Sequence, residues 1–152
     1  MPPLVVQLLW AKTSHDHALT HPLICHLIDV AEVAAAMWRT VLPNAIRLQI
    51  AAALGMDTDS AGHTLAFWAV LHDLGKASPA FQRRHSPSAA KLAASGLAFP
   101  PLFAPKTASH GTITAWAIER LLTDKTGASS RIARRLAVSW ADTMASGRNR
   151  LT

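Results

Sequence analysis

Thr64-Leu65-Ala66-Phe67-Trp68-Ala69-Val70-Leu71-His72-Asp73-Leu74-Gly75-Lys76 stays apolar on almost every face until Leu71, then delivers a histidine and a carboxylate. The lack of alternation, with Gly75 to stop it, predicts a core helix over residues 64–74. A carboxylate at the end of such a helix is costly to bury unless something compensates its charge. A divalent metal ion does so. Imidazole nitrogen plus carboxylate oxygen suits manganese, iron, cobalt, nickel or zinc, and a carboxylate can bridge two ions where an imidazole cannot. Asp73 is then the natural bridging ligand. The pair also reads as a satisfied core histidine beside a surface aspartate, and two residues alone do not decide between these.

Working outward adds the context. Residues 23–38 follow Pro22 with apolar side chains on most of the wheel, which predicts a buried helix placing His26 and Asp29 roughly on one side. A second helix is expected over residues 45–54, ending at Gly55, with turn and cap chemistry in Asp57-Thr58-Asp59-Ser60. Residues 1–23 read as a lead-in loop. The proline-rich stretch 78–107 reads mostly as connector, with a short helix near residues 89–94. Thr107 or Ser109 can cap a long helix that starts near His110 and ends by Gly127, and Ser129 or Ser130 a further one carrying Arg131, Arg134 and Arg135. No repeat and no strand is expected.

Histidine on an early helix, the His-Asp pair, Gly75-Lys76, and histidine at the start of a late helix form the ordered pattern His26, His72-Asp73, His110 on a helical background. Several ligand types in order favour the metal reading. In such a site the ions would bind a scissile phosphate and lower the pKa of a bound water. Lys76 would neutralise a phosphate oxygen, or else be a solvated lysine complementing the helix dipole. Asp29 would orient His26 or another ligand, or else be a helix-surface charge. His15, His17, His21, His63 and His85 read as surface residues.

At 152 residues, half of them hydrophobic and 16% charged, the chain is expected to be one compact all-α domain rather than a disordered segment. The lone Cys25, in an apolar run, is expected to be a reduced, packed thiol, which favours the cytoplasm. No signal peptide or membrane span is expected. The net charge of +6 makes polyanions plausible partners.

These residues resemble the N-terminal HD nuclease domain of the CRISPR-associated helicase-nuclease of type I interference systems. The resemblance rests on Trp10-Ala11-Lys12, on His21-Pro22-Leu23 leading to His26, Asp29, Val30 and Ala31, on His72-Asp73-Leu74-Gly75-Lys76-Ala77-Ser78-Pro79-Ala80-Phe81-Gln82, and on Ser109-His110-Gly111. It implies an all-helical HD fold and metal-dependent cleavage of single-stranded DNA, with Asp73 and Lys76 in catalytic roles. It further implies that His26, His72 and Asp73 hold a first metal ion and His110 a second, drawn from manganese, iron, cobalt, nickel or magnesium. The implied partners are single-stranded DNA, a helicase module and an RNA-guided surveillance complex, with no membrane.

The family then has a Gly-Gly-His-His-Gly segment, whereas here Val138 is followed by Ser139-Trp140-Ala141-Asp142-Thr143-Met144-Ala145-Ser146-Gly147. Back-translating Trp140 to Gly147 from the third base of the tryptophan codon spells Gly-Gly-His-His-Gly-Val-Trp with ordinary codon choices. The expectation is therefore a partial HD nuclease domain over residues 1–138 and an atypical tail over residues 139–152, read out of frame. A domain truncated in this way would hold its first ion weakly and its second hardly at all. Three readings follow: a DNA nuclease domain, an HD phosphohydrolase acting on nucleotides, and a non-catalytic truncated remnant.

Overall fold

The structure, a computed structural model, describes residues 5–99 and 109–126. Its elements in order are α1 (Val5–Leu8), β1 (Trp10–Thr13), β2 (Thr20–Pro22), α2 (Leu23–Thr40), α3 (Asn44–Leu54), α4 (Thr58–Leu71), a 3-10 turn (Leu74–Ala77), α5 (Pro79–Gln82), α6 (Ser86–Ala94) and α7 (His110–Thr126). The fold is all-α with one small hairpin. Among the described residues no helix is long and apolar enough to cross a membrane. The expected helix after Ser129 and the tail over residues 139–152 lie outside the described residues. The chain divides into two units, one spanning Cys25–Leu71 and the other taking the described residues on either side of it.

In the Cys25–Leu71 unit, Trp38, Ala51 and Ala61 form the core, with Leu42, Ile50 and Leu65 packed against it. The Trp38 indole lies so close to α4 that a Cβ at Gly62 would come within 2.6 Å of it, so a residue without a side chain is needed there. Helix α3 ends at Gly55 in the left-handed conformation, as its sequence predicts. Helix α4 begins at Thr58, earlier than its apolar run, because Asp57 caps it. The Asp57 carboxylate accepts the backbone N–H groups of Asp59 and Ser60 and the Ser60 hydroxyl. The Ser60 hydroxyl first, then the backbone donors, hold this carboxyl below its ordinary range.

Helix α2 departs from its expected burial. Ile28, Val33 and Met37 are exposed, and so is Cys25, which is therefore not a packed thiol. Apolar residues occupy most of this helix's wheel, while its packing covers only a stripe of it. His26 faces inward, and its chain neighbour Cys25, about 100° round the helix, points away.

In the other unit the expected lead-in loop is an ordered element. β1 and β2 pair antiparallel, with Lys12 opposite His21, Thr13 opposite Thr20, and an irregularity between Trp10 and Lys12. Pro22 closes β2, where a strand tolerates a missing N–H. The turn between them is held locally: Asp16 accepts from the Ser14 hydroxyl and the Ala18 N–H, and His17 takes φ 57°. The described part of the proline-rich connector also holds structure, because Pro79 and Pro87 stand in the first turns of α5 and α6, where proline is favoured. Ser78 caps α5 by accepting the Phe81 N–H. Helix α6 therefore begins earlier than residue 89.

Candidate metal centre

Helix α4 ends at Leu71, and His72-Asp73 leave it for a tighter turn in which Lys76 N–H bonds to the Asp73 carbonyl. That turn is pinned to α7 at one point. The Thr114 hydroxyl accepts the Gly75 N–H at 2.8 Å and donates to the His72 carbonyl at 3.1 Å. Thr114 is fully buried, one helical turn beyond His110, so the same bond that fixes the turn fixes the start of α7 beside it. Only glycine allows this approach. A Cβ at position 75 would overlap the His110 carbonyl oxygen and lie 2.8 Å from the Thr114 hydroxyl.

The consequence is a compact polar cluster. Asp73, 2% exposed, directs Oδ2 to the Lys76 ammonium at 2.8 Å and to His72 Nε2 at 3.0 Å, while Oδ1 faces His110 Nε2 at 3.6 Å. The buried carboxylate is thus compensated by a cation and bordered by two imidazoles, one on each oxygen. Lys76 is itself buried at 9%, so the solvated-lysine alternative does not describe it.

Behind the cluster, Gln82 ties β1 to the turn. Its Oε1 accepts the Trp10 N–H at 3.1 Å, and its Nε2 donates to the Trp10 carbonyl at 2.8 Å and the Lys76 carbonyl at 2.7 Å. The Trp10 indole N–H donates back to the Gln82 carbonyl. Phe81 fills the space between: its ring lies 4.6 Å from that of Trp10 and meets the His110 imidazole edge-on at 6.0 Å.

A family model described as Cas3, HD domain matches residues 10–146. The chain belongs to the Cas3 HD domain family. It is 36% identical over 131 residues to the CRISPR-associated endonuclease/helicase Cas3 of Thermus thermophilus, covering 86% of this chain and 14% of that protein. A crystal structure of a CRISPR-associated protein matches with a TM-score of 0.74 and 42% identity, covering 90% of this chain and 15% of the other. The chain thus spans about a seventh of the relatives it matches.

Of the residues that the Cas3 HD resemblance singles out, the structure brings together His72, Asp73, Lys76 and His110. His26, 6% exposed, and the exposed Asp29 belong to the Cys25–Leu71 unit and are placed with it. Among the described residues no three His, Cys, Asp or Glu side chains form a ready cation site. The chemistry of the donors nevertheless fits one, since two imidazole nitrogens border opposite oxygens of a single buried carboxylate. His15, His17 and His63 are exposed as expected. His85 instead is half-buried, bonded to Ser88 and the His17 carbonyl and set against Trp10. Thr114 escaped the sequence reading altogether, and its one signal is a polar residue at i+4 from His110 among apolar neighbours.

Proposed function

We propose that this chain is a nuclease domain of Cas3 type that cleaves single-stranded DNA with divalent metal ions, in the cytoplasm, beside a helicase module and an RNA-guided surveillance complex of a type I CRISPR system. The observation that carries the reading is the Asp73 carboxylate, buried in the turn with His72 and His110 on its two oxygens and Lys76 locked onto it. His72, Asp73 and His110 would hold the ion. When bound, it lowers the pKa of water and neutralises a phosphate oxygen.

The chain's own contributions are positional and electrostatic. The Thr114 bonds and the contact at Gly75 fix the spacing of His72 and His110. Gln82 holds the backbone from which Lys76 projects. Lys76 compensates the charge of the Asp73 carboxylate and orients it, and its ammonium, 2.8 Å from that carboxylate, stands ready for a phosphate arriving there.

The test incubates the purified chain and manganese with circular single-stranded DNA and, separately, with nucleotides. Manganese-dependent cutting of the circle, lost in Asp73→Asn, is expected. Phosphate release from nucleotides with intact DNA would replace this reading with a nucleotide phosphohydrolase, and no hydrolysis of either with no metal uptake would leave a non-catalytic remnant.

A further inference from the structure

Phe81 connects the Asp73 cluster to the protein surface. Two cations sit against its ring, Lys76 with its ammonium 5.9 Å from the centroid and Arg84 with its guanidinium carbon at 5.3 Å. Lys76 is committed to Asp73. Arg84 is exposed, and among the described residues no carboxylate pairs with it, in contrast to Arg120, which faces Asp124. The His110 imidazole touches the same ring edge-on at 6.0 Å. One aromatic ring therefore lies between His110 and a guanidinium that no carboxylate pairs with among the described residues.

Contact with the ring changes what that cation can do. A guanidinium over an aromatic face is restrained by cation–π attraction while its N–H groups stay available in its own plane, the geometry that matches two phosphate oxygens. A freely solvated arginine would have to be immobilised before it could bind. Arg84 and His110 border the same ring, at 5.3 Å and 6.0 Å from its centre, so a strand whose scissile phosphate reaches the Asp73 cluster carries a further phosphate past Arg84. We propose that Arg84 binds the phosphate neighbouring the scissile one, so that the site selects a polynucleotide over a substrate with a single phosphate. This rests on the nuclease reading of the Asp73 cluster and adds the length of substrate that cluster requires.

The experiment compares the full chain with Arg84→Ala and Arg84→Lys. Binding of a fluorescent oligothymidylate is followed by anisotropy across a salt series, and manganese-dependent hydrolysis of bis(p-nitrophenyl) phosphate, which carries one phosphodiester, is measured beside it. Arg84→Ala is expected to bind roughly tenfold more weakly, with its log–log salt slope shallower by about 0.7, the share of one single-strand phosphate contact. Arg84→Lys should keep the slope and recover part of the affinity. Hydrolysis of the small diester should not change, and melting should fall by no more than the roughly 1–4 °C that one exposed cation–π contact contributes. An Arg84→Ala chain with wild-type affinity and slope overturns the proposal, as does an equal loss on the small diester, and so does a wild-type chain that does not bind the oligonucleotide. A chain that does not hydrolyse the small diester but shows the shallower slope on substitution sinks the nuclease reading and leaves the phosphate contact standing.

Discussion

Replacing Gly75 by alanine adds one methyl group where the turn meets α7. Its carbon would overlap the His110 carbonyl oxygen and lie 2.9 Å from the carbonyl carbon, both backbone atoms that cannot rotate aside. The turn and the helix must part. Overpacking of this kind costs about 1–3 kcal/mol. Parting also stretches the Gly75 N–H to Thr114 bond and strands a buried donor, worth about 1–3 kcal/mol more. A loss near 3 kcal/mol is a large share of the roughly 5–15 kcal/mol that holds a domain together. For this length it lowers the melting temperature by about 6–12 °C. Calorimetry with and without manganese checks it, with Thr114→Val as the control that removes only the hydroxyl and Thr114→Ser as the one that retains it. Gly75→Ala should weaken manganese binding more than Thr114→Val, because it moves His110 as well as unpinning the turn, and Thr114→Ser should stay close to wild type. A Gly75→Ala chain melting within about 2 °C of wild type with unchanged manganese affinity would refute the close-approach argument.

Lys76→Ala leaves Asp73 buried without its cation and should cost the metal-free chain about 3–5 kcal/mol, a loss that manganese partly restores in thermal melts. Gln82→Leu strands the polar backbone groups of Trp10 and Lys76 that its side chain satisfies and should cost roughly 1–3 kcal/mol in denaturant unfolding, whereas a loss under about 0.5 kcal/mol would show that those groups do not depend on it. Asp57 has a folded-state pKa below the ordinary 3.8, so its contribution is present above that value and is lost as pH falls through the lower folded one. Stability of the wild type should therefore drop more steeply than that of Asp57→Asn on acidification below pH 3.8, and parallel curves would remove Asp57 from the account. Finally, sequencing the coding DNA around Ser139 tests the displaced frame: it should encode paired histidines, and continued absence of them there ends the frameshift idea.

The features legible in the sequence were those set by local chemistry. The apolar run before His72, the glycine that closes α3 and the cap that opens α7 at His110 each lie within a few residues of what causes them. The pairing of β1 with β2 was not legible, because both strands are short and Trp10 of β1 is held by Gln82, 72 residues away. The polar cluster was read as a set of residue types but not as a geometry. That Lys76 is buried follows from its bond to Asp73, which no periodicity encodes, and the part played by Thr114 depends on a contact between residues 42 apart. Cys25 misled for a related reason, since hydrophobic neighbours along a helix do not share its face.

The clamp between Trp10 and Gln82 joins positions 72 residues apart. Closing those hydrogen bonds brings the two ends of that span together, at an entropic cost that grows with its length. The turn that carries Asp73 and Lys76 therefore reaches its final shape only once the N-terminal hairpin has returned to it. Helices α3 and α4 can form earlier from nearby contacts. A nascent chain is expected to acquire the local helices α3 and α4 first and the cluster around Asp73 later.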